Sequence, residues 1–108
     1  MKWSNYFIPT LKEVPKEAES ISHKLMLRGG FIDKVSSGVY TYLPLGYRVL
    51  RKVENIIREE MNKSGGIEIL MPSLQPSFLG KESGRYEKMG KDMIKFMDRS
   101  EREMIFGP

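Results

Sequence analysis

Cysteine is absent from this chain. Disulfides, thiolate metal sites and a cysteine nucleophile are therefore excluded, and the composition suits a reducing compartment, by default the cytoplasm. Histidine is nearly absent too. His23 is the single one, and it reads as a surface or half-buried residue, not as a base or a metal ligand. Long hydrophobic runs are missing: no more than three or four apolar residues adjoin, far short of the roughly 20 that span a bilayer. The first residues, one lysine followed by Trp3, Asn5 and Pro9, read as neither a signal nor a transit peptide. Low-complexity tracts, internal repeats and blocks of like charge are lacking as well.

What is present is ordinary for a globular protein. Over 108 residues, 40% are hydrophobic and 30% charged, enough for one domain at most with a modest core. Eighteen Lys and Arg face fourteen Asp and Glu, giving a net charge of +4. A mild positive excess favours polyanionic partners. The charges are interspersed, however, as on any solvated mixed surface.

Hydrophobic spacing lays out the elements. Pro15 with Lys16-Glu17-Ala18-Glu19 predicts a helix start; Ala18, Ile21, Leu25 and Leu27 continue it, and Gly29-Gly30 ends it. Residues 31–34 and 38–43 predict two short strands, Val39 to Tyr42 being strong strand formers. Residues 47–64 predict a long amphipathic helix with Leu50, Val53, Ile57 and Met61 on one stripe. That stripe is expected to pack on the chain's own sheet. Gly65-Gly66 caps the helix, and residues 67–71 predict a strand with Ile67, Ile69 and Met71 on one face. Further on, 74–82 predicts a helix, 83–92 an exposed loop, and 93–98 with 103–106 an antiparallel hairpin around the polar tip Arg99-Ser100-Glu101-Arg102. Helices and hairpins without a strict βαβ rhythm make the fold class α+β. The glycine pairs are caps and match no phosphate-binding fingerprint. The eight methionines read as core filler. Trp3, Tyr6 and Phe7 offer rings that could stack on bases or anchor the terminal segment.

One succession of residues is more specific than any of this. The Pro44-Leu45-Gly46 turn, a basic helix, Gly65-Gly66, an apolar strand and Pro72 resemble motif 1 of class II aminoacyl-tRNA synthetases. Tyr6-Phe7-Ile8-Pro9-Thr10-Leu11-Lys12-Glu13 and Ser37-Gly38-Val39-Tyr40-Thr41-Tyr42-Leu43-Pro44-Leu45-Gly46 resemble the bacterial prolyl-tRNA synthetase family, and the likeness runs to Pro108. Glu82-Ser83-Gly84-Arg85-Tyr86-Glu87 is similar to a segment that rims the active site in prolyl and threonyl enzymes, with tyrosine where many relatives carry tryptophan.

The resemblance implies an amino-terminal fragment of a class II catalytic domain, an antiparallel sheet flanked by helices. The whole enzyme would activate proline with ATP and Mg²⁺ to prolyl-adenylate and pass the prolyl group to tRNA-Pro. Its motifs 2 and 3, editing insertion and anticodon-binding domain would lie downstream, since Gly107-Pro108 matches the Gly-Pro that precedes the Thr-x-Glu loop. Residues 1–108 are then expected to hold no catalytic residue or metal ligand, and to bind neither ATP nor Mg²⁺ tightly by themselves. They would supply a homodimer element at Pro72, Ile67, Ile69 and Met71, and a rim at Glu82, Gly84, Arg85 and Tyr86. Proline inside a strand cannot donate to a ladder, which favours an edge or interface for Pro72. In the rim, Arg85 either approaches a phosphate or the tRNA end, or pairs with Glu82 or Glu87. Two other readings stand beside this one: a free-standing dimerisation or regulatory module, and a small basic RNA-binding module.

Overall fold

A computed structural model describes residues 2–107. The chain divides into two compact units, residues 1–67 and 68–108.

In the first unit, a single 3₁₀ turn at Trp3–Asn5 leads into an extended stretch. The helix α1 spans Ile21–Arg28 and begins later than Pro15 predicts. Residues 15–18 make only a turn, the Ala18 N–H donating to the Pro15 carbonyl at 3.1 Å. Ser20 is the true cap: its hydroxyl accepts from the His23 N–H at 3.2 Å, satisfying one of the free donors of the first turn. Gly29-Gly30 ends the helix as predicted. Gly30 is left-handed (φ +73°), and a Cβ there would meet the Pro9 carbonyl oxygen at 2.9 Å.

Strands β1 (Ile32–Ser36) and β2 (Val39–Tyr42) form an antiparallel hairpin pairing Ile32 with Tyr42 and Lys34 with Tyr40, with an irregularity between Lys34 and Ser36. Its core is small: Ala18, Leu27 and Ile32, with Val14 and Tyr40 packed against them. Lys34 Nζ meets Glu17 Oε1 at 2.9 Å on the rim. This pairing lowers the Glu17 pKa and raises that of Lys34.

The helix α2 covers Pro44–Lys63. It starts at Pro44, where a fixed φ and a missing N–H are harmless. Gly46 is buried, and a Cβ there would lie 2.1 Å from the Phe31 carbonyl oxygen. The absence of a side chain is what lets α2 approach the start of the hairpin. Arg51–Glu54 (2.8 Å) and Glu54–Arg58 (3.8 Å) lie along its surface, and Lys63 reaches Glu60 at 3.3 Å. The expected burial of its apolar stripe does not occur: Leu50, Val53, Ile57 and Met61 are all exposed. A two-stranded hairpin is too small to cover five turns of helix.

In the second unit, residues 68–72 belong to no helix or strand and the chain bends at Ser73. The strand predicted at 67–71 is therefore corrected to β3 (Leu74–Pro76), and Pro76, not Pro72, ends it. Pro76 has no N–H to give, so a strand must stop there or lie at an edge. The order β3-β5-β4 does place β3 at an edge. α3 (Ser77–Glu82) follows, then α4 (Arg85–Met89) and a 3₁₀ turn at Gly90–Asp92, where an exposed loop was expected. The predicted hairpin is present as β4 (Lys95–Met97) and β5 (Glu103–Phe106). Asp98 organises its tip. Oδ1 accepts from the N–H groups of Ser100 and Arg102 at 2.9 and 2.8 Å, and Oδ2 from Arg102 Nε at 2.8 Å. The Arg102 N–H bond leads the causes that hold the Asp98 carboxyl below its usual value. The core centres on Ile105, 2% exposed, with Met93. Gly80 lies above both.

The fold is thus α+β, with two small antiparallel sheets in place of one.

Candidate functional site

Three surfaces gather the residues with chemical potential.

The first is the apolar run at the division between units. Ile67 is 90% exposed and Leu70 fully so; Ile69 and Met71 are also largely exposed. Their backbone enters no strand, and the large apolar side chains stand in solvent. Pro72 closes the run. Its carbonyl accepts from the Gln75 amide at 3.3 Å, and next to it the Ser73 carbonyl accepts from the Gly107 N–H at 2.9 Å.

The second surface surrounds α4. Ser83, Gly84, Arg85, Lys88 and Met89 line an open recess of about 410 Å³. Gly84 is left-handed (φ +75°) and faces open space. It lets the chain turn from α3 into α4 and leaves Arg85 exposed. Glu82 is exposed on the preceding turn. Among the described residues, Arg85 makes no ion pair with Glu82 or Glu87, which leaves its guanidinium available to an incoming anion.

Tyr86, the last of the expected rim residues, points to a different environment. Its ring has two ammonium groups near it, Lys95 Nζ 4.1 Å and Lys81 Nζ 4.9 Å from the centroid. Such contacts draw cations onto the negative ring face. Its phenol meets Glu103, which raises the Tyr86 pKa above the usual value. The same hydrogen bond is the leading reason that the Glu103 pKa is lowered, with Ser77, Lys81 and Lys95 adding to it. Glu103 Oε1 is itself buried with no hydrogen-bond donor and has the Lys81 ammonium 3.9 Å away. Arg85 and Tyr86 are therefore divided in role: one faces solvent, the other ties α4 to β5. Sequence reasoning missed Ser77, Lys81, Lys95 and Glu103, which no spacing rule joins.

The third surface is a shallow open groove of about 590 Å³, lined by Asn5, Tyr6, Phe7, Pro44, Tyr47 and Arg48. Arg51 lies over the Tyr47 ring, 5.6 Å from its centroid. Charge is distributed unequally as well. Residues 1–67 hold eleven Lys and Arg against seven Asp and Glu, whereas 68–108 hold seven of each.

No family model matches the chain. Individual relatives do. The proline–tRNA ligase of Geotalea daltonii is 60% identical over 108 residues, all of this chain and 19% of that protein. Those of Xanthobacter autotrophicus and Ehrlichia canis are 60% and 57% identical over the same 108 residues, which are 24% and 26% of their lengths. Along its whole length the chain is homologous to a segment of the proline–tRNA ligases. It spans about a fifth to a quarter of the relatives it matches. The likeness leaves no described residue out, so it extends over both units. Among the described residues, no group of three or more His, Cys, Asp or Glu could hold a metal ion, and no helix is long and apolar enough to cross a membrane.

Proposed function

We propose that this chain forms the amino-terminal part of the catalytic domain of a class II prolyl-tRNA synthetase acting in the cytoplasm. The whole enzyme forms prolyl-adenylate from proline and ATP with Mg²⁺, releases pyrophosphate, and esterifies tRNA-Pro. What carries the reading is identity of 56–60% sustained over every residue of the chain. Within that enzyme these residues supply support and not the reacting groups. The reacting groups are read as lying in the part of the relatives that this chain does not span.

Pro72, Ile67, Ile69 and Met71 are read as the homodimer element. Their support is the exposure of Ile67, Ile69 and Met71 on a run that belongs to no strand, apolar surface that a second copy could cover. Glu82, Gly84, Arg85 and Tyr86 are read as the rim of the active site, with Arg85 offering its planar fork to a phosphate and Tyr86 anchoring α4 to β5 through Glu103. The exposed stripe of α2 keeps a second reading in play, a free-standing dimerisation module.

One transplant tests the proposal. The 108 residues should show no proline-dependent ATP–pyrophosphate exchange alone. Exchanged for the matching segment of the Geotalea daltonii enzyme, they should sustain it. A folded chimera without exchange, or one that activates a different amino acid, would overturn the assignment. A stable dimer of the isolated chain by sedimentation would favour the free-standing module.

A further inference from the structure

Little within α4 itself fixes its direction. It is five residues long, well below the roughly 12–15 at which a helix holds in water unaided. Gly84 before it and Gly90 after it both have positive φ (+75° and +51°), and no side chain caps its first turn. A single turn between two glycine joints has its axis set by contacts with other elements and not by its own backbone. Arg85 nevertheless stands at one defined place, on the recess of about 410 Å³ that Ser83, Gly84, Lys88 and Met89 line with it.

The contacts that set the axis converge on Tyr86. Its Cβ sits close over Gly80 of α3, 3.6 Å from where a side chain at that glycine would begin. Lys95 Nζ of β4 and Lys81 Nζ of α3 stand 4.1 and 4.9 Å from the ring centroid, where the ring attracts cations. Lys81 is engaged in turn by Glu103 of β5, its Nζ 3.9 Å from Oε1. The ring is thus tied to α3 and β4 directly and to β5 through Lys81. Arg85 and Tyr86 are successive residues, about 100° apart around a helix, so a fixed ring also fixes the direction in which Arg85 leaves α4. We infer that Tyr86 is a positioning residue: its ring, seated on Gly80 and held by Lys81 and Lys95, keeps Arg85 at the recess. The inference rests on the rim reading above, in which Arg85 offers its fork to a phosphate.

The test uses the chimeric enzyme in pyrophosphate exchange with ATP as the varied substrate. Arg85→Gln should raise the KM for ATP about tenfold with kcat unchanged, as one charge-assisted contact made alike before and during reaction is lost. Tyr86→Leu should raise KM comparably although Arg85 is intact, and should add nothing in the Arg85→Gln background, because both act through one guanidinium. Tyr86→Phe restores the ring and should recover most of that loss. Lys95→Gln removes the nearer cation and should raise KM about threefold. Amide exchange should quicken over residues 85–89 in Tyr86→Leu and stay unchanged over 95–97 and 103–106. A parental KM in Tyr86→Leu, effects that add to Arg85→Gln, or exchange rising equally in β4 and β5 would each overturn the inference while leaving the rim reading intact. A silent Arg85→Gln would overturn the rim reading itself, and the inference with it.

Discussion

The two units have similar ingredients and opposite surfaces. Residues 1–67 carry the whole net charge of +4, while 68–108 are neutral. The first unit spends its longest element, α2, on an exposed apolar stripe and a basic start. The second has no helix longer than six residues, yet wraps β5 so that Ile105 is nearly inaccessible. A charge averaged over the chain looks like a bland solvated surface. Divided by unit, it becomes one basic unit and one neutral unit. The lesson is that a net charge informs only once the fold says which residues share a surface.

The strongest way to break this comparison is Gly46→Ala. A Cβ placed 2.1 Å from a backbone oxygen cannot be relieved by a rotamer change, so the cost should exceed ~3 kcal/mol, the top of the usual overpacking range. Peptide-resolved hydrogen exchange should show protection lost in residues 1–67. Loss spreading equally through 68–108 would break the division into units.

Ile105→Ala should do the reverse, costing about 3 kcal/mol as a buried isoleucine truncation, with exchange rising in 68–108. Gly80→Ala is milder. Its Cβ would meet the end of the Ile105 side chain at 2.9 Å, which can give way, so about 1 kcal/mol is expected in denaturant unfolding.

The Tyr86–Glu103 contact sharpens the contrast through pH. Glu103 is lowered in the folded state, so its contribution is present above the ordinary carboxylate value and lost as pH falls through the depressed one. Tyr86 is raised from 10.0, so the neutral phenol is favoured, and its contribution is lost as pH rises through the raised value. Glu103→Gln should remove the acid limb and Tyr86→Phe the alkaline one, both read from amide exchange in the second unit. Asp98→Asn should have the smallest effect, loosening only residues 98–102 at the hairpin tip by NMR.

Local signals in the sequence were followed closely by the fold wherever one residue type decides the backbone. Gly29-Gly30 and Gly65-Gly66 cap their helices, the β1–β2 and β4–β5 hairpins form, and α2 runs from a proline that suits its first turn. The failures share a cause. Pro15 with its acids looks like a helix start, but Ala18 is needed in the core against Leu27 and Ile32, and Ser20 offers a better cap two residues later. Residues 67–71 have strand-forming side chains but no partner strand, and propensity alone does not make them a strand. The reach from 77 to 103 that builds the Tyr86 cluster leaves no trace in spacing, because it depends on β5 returning between β3 and β4.

Sequence alone determined the class of the protein. The absence of cysteine, the succession from Pro44 to Pro72 and the likeness to proline–tRNA ligases over all 108 residues are properties of residue order. Only the tertiary structure decided exposure: that the α2 stripe lies open, that Arg85 faces solvent while Tyr86 is tied to Glu103, and that Phe7 and Tyr47 line one groove. The reason is physical. Capping and turn preferences act over a few residues and can be read along the chain, whereas burial is settled by which distant surfaces happen to be large enough to cover one another.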